Sequence, residues 1–197
     1  AMTFKLGLTG SIGMGKSTTA QMFVEEGCAL WDADAAVHRL YAKGGAAVVP
    51  MEQAIPGVVR DGAISRDVLR VKISENPAIL NVIEQIVHPL VGADRQTFID
   101  TATSDILVFD IPLLFETGSD ARMDAVACVS ISAEDQEARV LARGTMSEAD
   151  FDLILSKQVP DAEKRKRADF IIPSDTLETA QTAVDHILAS LIEKRQG

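Results

Sequence analysis

Cysteine, tryptophan, tyrosine and histidine are scarce in this chain of 197 residues, which holds two, one, one and three of them. Cys28 and Cys128 form no CxxC pair and no Cys/His cluster, which speaks against a zinc site. Two cysteines without a staple in a chain of this length read as reduced thiols in a cytoplasmic protein. Both lie in apolar runs, where buried packing is the expected role. No apolar run reaches the length of a membrane span, and the N-terminus enters a strand pattern without a signal-peptide layout, so no membrane association is expected. Ala1, ahead of Met2, reads as an addition and carries no argument. Positive charge is also short: 19 Lys and Arg face 29 Asp and Glu, a net charge of -10. A nucleic-acid-binding domain is normally basic, so no nucleic-acid partner is expected, and nothing points to an obligate protein partner. An acidic chain that handles phosphate must gather its cations locally, which makes the positions of Lys and Arg informative.

Apolar residues make up 47% and charged residues 24%, the balance of an ordinary folded protein able to bury its own core. Short apolar runs at Phe4–Thr9, Cys28–Trp31, Ile106–Phe109, Ala125–Ile131 and Phe170–Ile172 alternate with helical patterns. That is how a buried parallel sheet reads. The fold class is α/β, a three-layer arrangement around a parallel, five-stranded sheet. The stretch Lys16–Glu26 is helix-like and Gly27 fits its stop. Two segments interrupt the alternation. Residues 39–104 hold no parallel strand and carry helical spacing at Ile79, Ile83, Ile86 and Val87, with turn signals at Gly44-Gly45, Pro56-Gly57 and Asp61-Gly62. They are expected to form a helical insertion, and His88-Pro89 is expected near the end of a helix. Residues 139–167 are charged and read as two helices forming a lid. A final amphipathic helix at 176–195 has Leu177, Ala180, Val184, Ile187, Leu188 and Leu191 as its stripe. The expected organisation is one domain over 2–197, with its core at 3–38, 105–138 and 168–197.

Gly10-Ser11-Ile12-Gly13-Met14-Gly15-Lys16-Ser17 matches GxxxxGK[ST] in full, with a strand before it and a helix after it. Glycine lets main-chain N–H groups approach phosphate oxygens. The helix that begins at Lys16 points its positive end at the same anion. Lys16 is placed to reach the β- and γ-phosphates, and Ser17 to coordinate Mg²⁺. Ser11, Ile12, Gly13, Met14, Gly15, Lys16, Ser17 and Thr18 are therefore the expected ATP-binding set.

A phosphate loop does not name the reaction. The DxxG and NKxD patterns of GTPases are absent, as is the LSGGQ-like motif of ABC ATPases. What remains is the layout of a small-molecule kinase, which needs a second substrate pocket and a lid that excludes water. Asp32 and Asp34 follow the second strand, where ligands of parallel α/β sheets bind. If strand geometry continued, alternation would put both carboxylates on one side, one as base for an incoming hydroxyl. The competing reading makes Asp34 a helix N-cap and Asp32 a turn residue. Among the cations of the lid, Arg139 and Arg143 are spaced to share a helix face and clamp phosphoryl oxygens. Lys157 and Lys164 belong to the same group, while Arg165, Lys166 and Arg167 read as solvated charges. Asp110, at the end of the third strand, is a candidate magnesium carboxylate. His38 and His186 read as surface residues.

Together these elements resemble the dephospho-coenzyme A kinase family over nearly the whole chain. The resemblance rests on Gly7-Leu8-Thr9-Gly10 entering the phosphate loop, Asp32-Ala33-Asp34, Asp61-Gly62 with Arg66 and Leu69, and His88-Pro89. It continues through Pro112-Leu113-Leu114-Phe115-Glu116, Gln136 with Arg139 and Arg143, Gln158, Lys164 and Ala168-Asp169. It implies Mg²⁺-dependent transfer of phosphate from ATP to the ribose 3′-hydroxyl of dephospho-coenzyme A, the last step of coenzyme A synthesis. It implies Asp34 as the catalytic carboxylate, with Lys16 and Arg139 in catalysis and Arg143 beside ATP. It implies Asp32, Arg66, His88 and the segment Pro112, Leu113, Leu114 and Glu116 in acceptor binding. Ser11, Met14, Trp31 and the run Ile172-Pro173-Ser174 depart from the family pattern. The last stands where an Asn is usual and bears on purine selectivity.

Overall fold

Apolar residues at every position of Ile106–Asp110 up to the final acid, and of Ala125–Val129, make strands that can only survive buried on both faces. In the computed structural model, which describes residues 3–196, these two strands flank β1 (Phe4–Thr9) as β5 (Ile106–Asp110) and β6 (Ala125–Ser130). Ala1, Met2 and Gly197 lie outside the described residues. With β2 (Ala29–Asp32) and β7 (Phe170–Pro173) the sheet has the expected five strands, in the order β2-β5-β1-β6-β7. β1 pairs in parallel with β5 and β6, and β6 pairs in parallel with β7. Pro173 ends the edge strand, where a missing N–H costs no ladder bond.

The chain divides into two compact units. The first comprises residues through Leu30 and from Thr103 onward, and contains α1 (Lys16–Glu25), α6 (Ala133–Ala142), α7 (Glu148–Lys157), α8 (Asp161–Arg167) and α9 (Leu177–Gln196). Its core joins Leu6, Leu8, Val108, Ala127, Val129 and Ile172 of the sheet to Phe23 of α1 and Val184 and Leu191 of α9. α1 ends as its sequence predicts: Gly27 N–H bonds to Val24 O and Cys28 N–H to Phe23 O, a Schellman stop. In α9 the predicted stripe is buried except for Leu177, which is 69% exposed. Leu177 is the first residue of the helix, and the stripe has not yet turned onto the core there. The charged segment 139–167 holds two complete helices, α7 and α8, and its first residues are the last turn of α6.

The second unit, Trp31–Ala102, contains α2 (Ala33–Tyr41), α3 (Val48–Ala54), α4 (Arg66–Glu75) and α5 (Ile79–Thr101). It also has a hairpin of β3 (Val59–Arg60) and β4 (Ala63–Ile64). Asp61 and Gly62 both have positive φ, 52° and 83°, which the Asp-Gly pair tolerates in a tight hairpin turn. Tyr41, Met51, Val58, Leu69, Ile83 and Val87 form this unit's own core. α5 does not end near His88 as the sequence suggested. It runs for 23 residues with Pro89 inside it, and the apolar residues on either side of the proline, Ile83 and Val87 before it and Leu90 and Val91 after it, pack on one core.

Trp31 is buried, and its Nε1–H donates to Asp94 Oδ1 at 2.9 Å, while Arg39 donates to the same oxygen at 2.6 Å. Burial pushes the Asp94 carboxyl upward, but the bonds from Arg39 and Trp31 outweigh it and hold the group below its ordinary range. A lowered folded-state value means that the ionised carboxylate stabilises the fold above the unfolded value and loses that contribution as pH falls through the folded one. Asp94→Asn is therefore expected to cost about 1–2 kcal/mol at neutral pH, by urea titration. The gap between the variant and the unmodified chain should close below about pH 4.

Cys28 and Cys128 are buried free thiols, as expected. Desolvation, with a smaller push from a nearby carboxylate in each case, moves both up to about 11. His38 and His186 are exposed. Among the described residues no helix is long and apolar enough to cross a membrane.

Candidate active site

The loop between β1 and α1 carries the positive-φ glycines Gly13 (79°) and Gly15 (83°). A Cβ on Gly13 would lie 2.6 Å from Val140 Cγ2 and 3.2 Å from Gln136 O, so the loop is seated against α6 as closely as a backbone can be. Gly15 is the N-cap of α1 and offers no side-chain cap. The first-turn N–H groups of α1 thus have no intrahelical acceptor and face outward with the positive end of the helix, and no acidic residue occupies that turn. This is an anion seat made from main chain.

Two side chains brace the loop from outside, and one of its own anchors it to the end of β6. Gln136, 4% exposed, donates Nε2–H to Ile12 O at 2.7 Å. Ser174 donates its hydroxyl to Met14 O. Met14 is itself buried, and its sulfur receives Ile131 N–H at 3.1 Å. Ser11 is buried, Ile12 partly so, and Ser17 and Thr18 are exposed at the head of α1. The Lys16 ammonium is ion-paired with Asp110 at the end of β5, and the two side chains are 15% and 5% exposed. Asp110, the candidate magnesium carboxylate, accepts the lysine ammonium here.

Beside the loop lies a cavity of about 180 Å³, lined by Gly15, Thr18, Met22, Arg139, Ser174 and the start of α9. Arg139 reaches it from α6, with Nη2 donating to Ser174 O at 2.7 Å and Asp175 O at 3.2 Å. Its guanidinium is therefore spread against one wall of the cavity. Arg143 is the C-cap of α6, still in helical backbone geometry, and is exposed one turn beyond Arg139. Asp110 is expected only as a magnesium carboxylate, and Gln136 and Ser174 enter the sequence reading only as parts of the family pattern and of a departure from it; that all three brace the loop and its lysine is seen in the structure. A signal for Ser174 existed: Ser174-Asp175-Thr176 stands before the amphipathic helix, and Thr176 Oγ1 accepts Thr179 N–H at 3.0 Å as a cap.

A family model described as dephospho-CoA kinase matches residues 4–179. The chain belongs to the dephospho-CoA kinase family. A dephospho-CoA kinase of Ruegeria pomeroyi is 66% identical over 190 residues, 96% of this chain and 96% of its own length. A protein of known structure from Thermus thermophilus is 28% identical, with a TM-score of 0.83 over 97% of this chain and 99% of its own. The dephospho-CoA kinase from Campylobacter jejuni has a TM-score of 0.70 at 21% identity, over 98% of this chain and all of its own (100%), a likeness of fold.

The remaining residues that the dephospho-CoA kinase pattern singles out fall in both compact units. Strand geometry stops at Asp32, so Asp32 and Asp34 do not alternate along a strand. Asp32 is the N-cap of α2, its Oδ1 accepting Asp34 N–H at 2.9 Å and Ala35 N–H at 3.1 Å. The capping role weighed for Asp34 thus belongs to Asp32, and the Asp34 carboxylate is exposed on the first turn. Arg66 opens α4 with its guanidinium 5.1 Å from the Tyr41 ring centroid. His88 is exposed on α5, beside a shallow surface shared with Asn81, Glu84, Gln85 and Pro89. In the segment after β5, Leu113 is 42% exposed whereas Leu114 is fully buried. Leu114 packs toward Gly7, so it fixes the segment and offers no surface. Glu116 also turns inward, where Oε2 accepts Val159 N–H at 3.0 Å. One further reading changes. Lys164, expected as a lid cation, is fully buried. Arg165 and Arg167 are exposed, as expected of solvated charges, and in addition reach Ser130 Oγ (3.3 Å) and the Phe115 ring (4.3 Å).

Proposed function

We propose that the chain transfers the γ-phosphoryl group of ATP to the ribose 3′-hydroxyl of dephospho-CoA, giving CoA and ADP. Membership of the dephospho-CoA kinase family carries the reading of the acceptor. The uncapped head of α1 beside Lys16 supports the reading of the donor. In this proposal the main chain of 11–18 cradles the ATP phosphates. Lys16 leaves Asp110 for the β- and γ-oxygens, and a carboxylate already aligned with the ammonium keeps that exchange short. The base enters the cavity against Arg139, whose planar guanidinium offers a stacking face. The Ser174 hydroxyl is donated to Met14 O and can only accept from the base, while the main chain around 175–177 lines the same cavity and offers further partners. Arg143 stands further out and would approach the phosphates on closure of the part of the expected lid, 139–167, that precedes α8.

The residues fit Mg²⁺. No cluster of three or more His, Cys, Asp or Glu suited to a metal occurs among the described residues, while the exposed Ser17 hydroxyl is a hard oxygen at the phosphate seat. Mg²⁺ is commonly held by substrate phosphates, water and one or two protein oxygens, and when bound it neutralises charge on the transferred group. On the acceptor side, Asp34 takes the proton of the 3′-hydroxyl. Asp32 holds the first turn of α2 that carries Asp34, and Arg66, His88, Pro112 and Leu113 bind the acceptor. The helical segment 39–104 serves as the acceptor-binding insertion. Phosphoryl transfer is loose, so an ordinary carboxylate suffices as base.

The test is ADP release from Mg·ATP with a set of acceptors, followed by mapping of the phosphate in the product. Dephospho-CoA should be turned over and the new phosphate should sit on the 3′-oxygen. Turnover of AMP, CMP or a nucleoside without turnover of dephospho-CoA would sink the reading.

A further inference from the structure

We infer that Lys164 is a positioning residue for the acceptor, acting through Glu116 on the segment that carries Pro112 and Leu113; this rests on the function proposed above. Lysine is rarely buried in full, and only when paired. Lys164 is 0% exposed, with Nζ 3.3 Å from Glu116 Oε2, and the Glu116 side chain is 13% exposed. The pair is poorly satisfied. Lys164 Nζ, Glu116 Oε1 and Gln158 Oε1 are all buried without a hydrogen-bond partner. Such a cluster is a weak source of stability, and apolar side chains of similar volume would serve the fold as well or better. What the pair does supply is register between two segments.

One of them, α8, is fixed to the sheet. Ser130 of β6 donates to Asp161 Oδ2 at 2.8 Å at the head of α8. Past its end, Val126 N–H donates to Asp169 Oδ2 at 2.8 Å, and Asp169 N–H to Val126 O at 2.8 Å. The other segment, 112–120, has no regular structure before Ser119 and is held to α8 at successive points. Glu116 meets Lys164 and the Val159 N–H, Phe115 lies under Arg167 at 4.3 Å, and Asp120 lies 3.7 Å from the same arginine. Lys164 is the only one of these contacts with both charge and full burial, so it sets where the turn bearing the exposed Leu113 rests.

The experiment compares Lys164→Met, Glu116→Leu and the double variant, with ATP and dephospho-CoA varied separately and melting temperature measured for each. Lys164→Met leaves Glu116 without its cation and should be destabilised. The double variant removes both charges and should melt within a few degrees of the unmodified chain. In that stable double variant KM for dephospho-CoA should rise about tenfold, with KM for ATP changed by less than about twofold. A double variant with unaltered KM for dephospho-CoA, or with both KM values raised together, overturns the inference. Failure of the unmodified chain to phosphorylate dephospho-CoA would be seen before any variant is made, and marks failure of the functional reading itself.

Discussion

Lys16→Met should lower kcat by about 10²–10³-fold, the scale on which loss of one pre-placed charge at a developing anion is felt. Methionine keeps the stem of the side chain and removes the ammonium. The change acts on the reaction for a reason visible without ligand: the ammonium waits on the Asp110 carboxylate at the carboxyl end of β5. Its position is therefore set before ATP arrives, and little is lost in organising it. The companion variant Asp110→Asn separates the two partners. It should keep part of the turnover, because the ammonium persists, and lose the rest, because its resting position is loosened. Stopped-flow or steady-state ADP release on both variants, with ATP affinity from calorimetry, checks the pair. Equal turnover in Lys16→Met and the unmodified chain would remove the phosphate loop from the chemistry.

Much of this arrangement could be read from residue order, and the parts that could not share a cause. Strands β1, β5 and β6 announce themselves because burial on both faces demands continuous apolar runs. The phosphate loop announces itself because main-chain anion binding tolerates so few sequences. Lys164 reads as a lid cation because it opens a row of four cations at 164–167, and nothing in that row marks which side chain turns inward. On a helix, consecutive side chains point in different directions; Lys164 turns inward onto Glu116 while Lys166 stays out. The alternation that would pair Asp32 with Asp34 holds only if the strand continues, and β2 ends at Asp32. The chain changes period at Ala33, and an aspartate at that junction is a natural cap. Spacing puts Arg139 on one face of α6 and says nothing of the acceptors that hold its guanidinium. The carbonyls of Ser174 and Asp175 that hold it come from a strand end 35 and 36 residues away. Long-range main-chain partners of this kind leave no pattern to count.

That change of period at Ala33 leads to the second large effect. Because Asp32 spends its carboxylate on two N–H groups, Asp34 is the acid of the pair with its oxygens exposed and available to a hydroxyl. Asp34→Asn should reduce kcat by about 10²–10⁴-fold, the range for loss of a general base, while ATP affinity stays within about twofold. Asparagine keeps the size and the helix position, so melting temperature should hardly move. Asp32→Ala should behave differently. It removes the cap of α2, costs about 1 kcal/mol of stability, and reaches turnover only through the loosened turn that carries Asp34. Asp32→Asn, which still caps, should stay close to the unmodified chain in stability. A large kcat loss confined to Asp34→Asn assigns the base to that residue. Equal losses in Asp32→Asn and Asp34→Asn would mean the negative charge of the turn matters and no single carboxylate takes the proton.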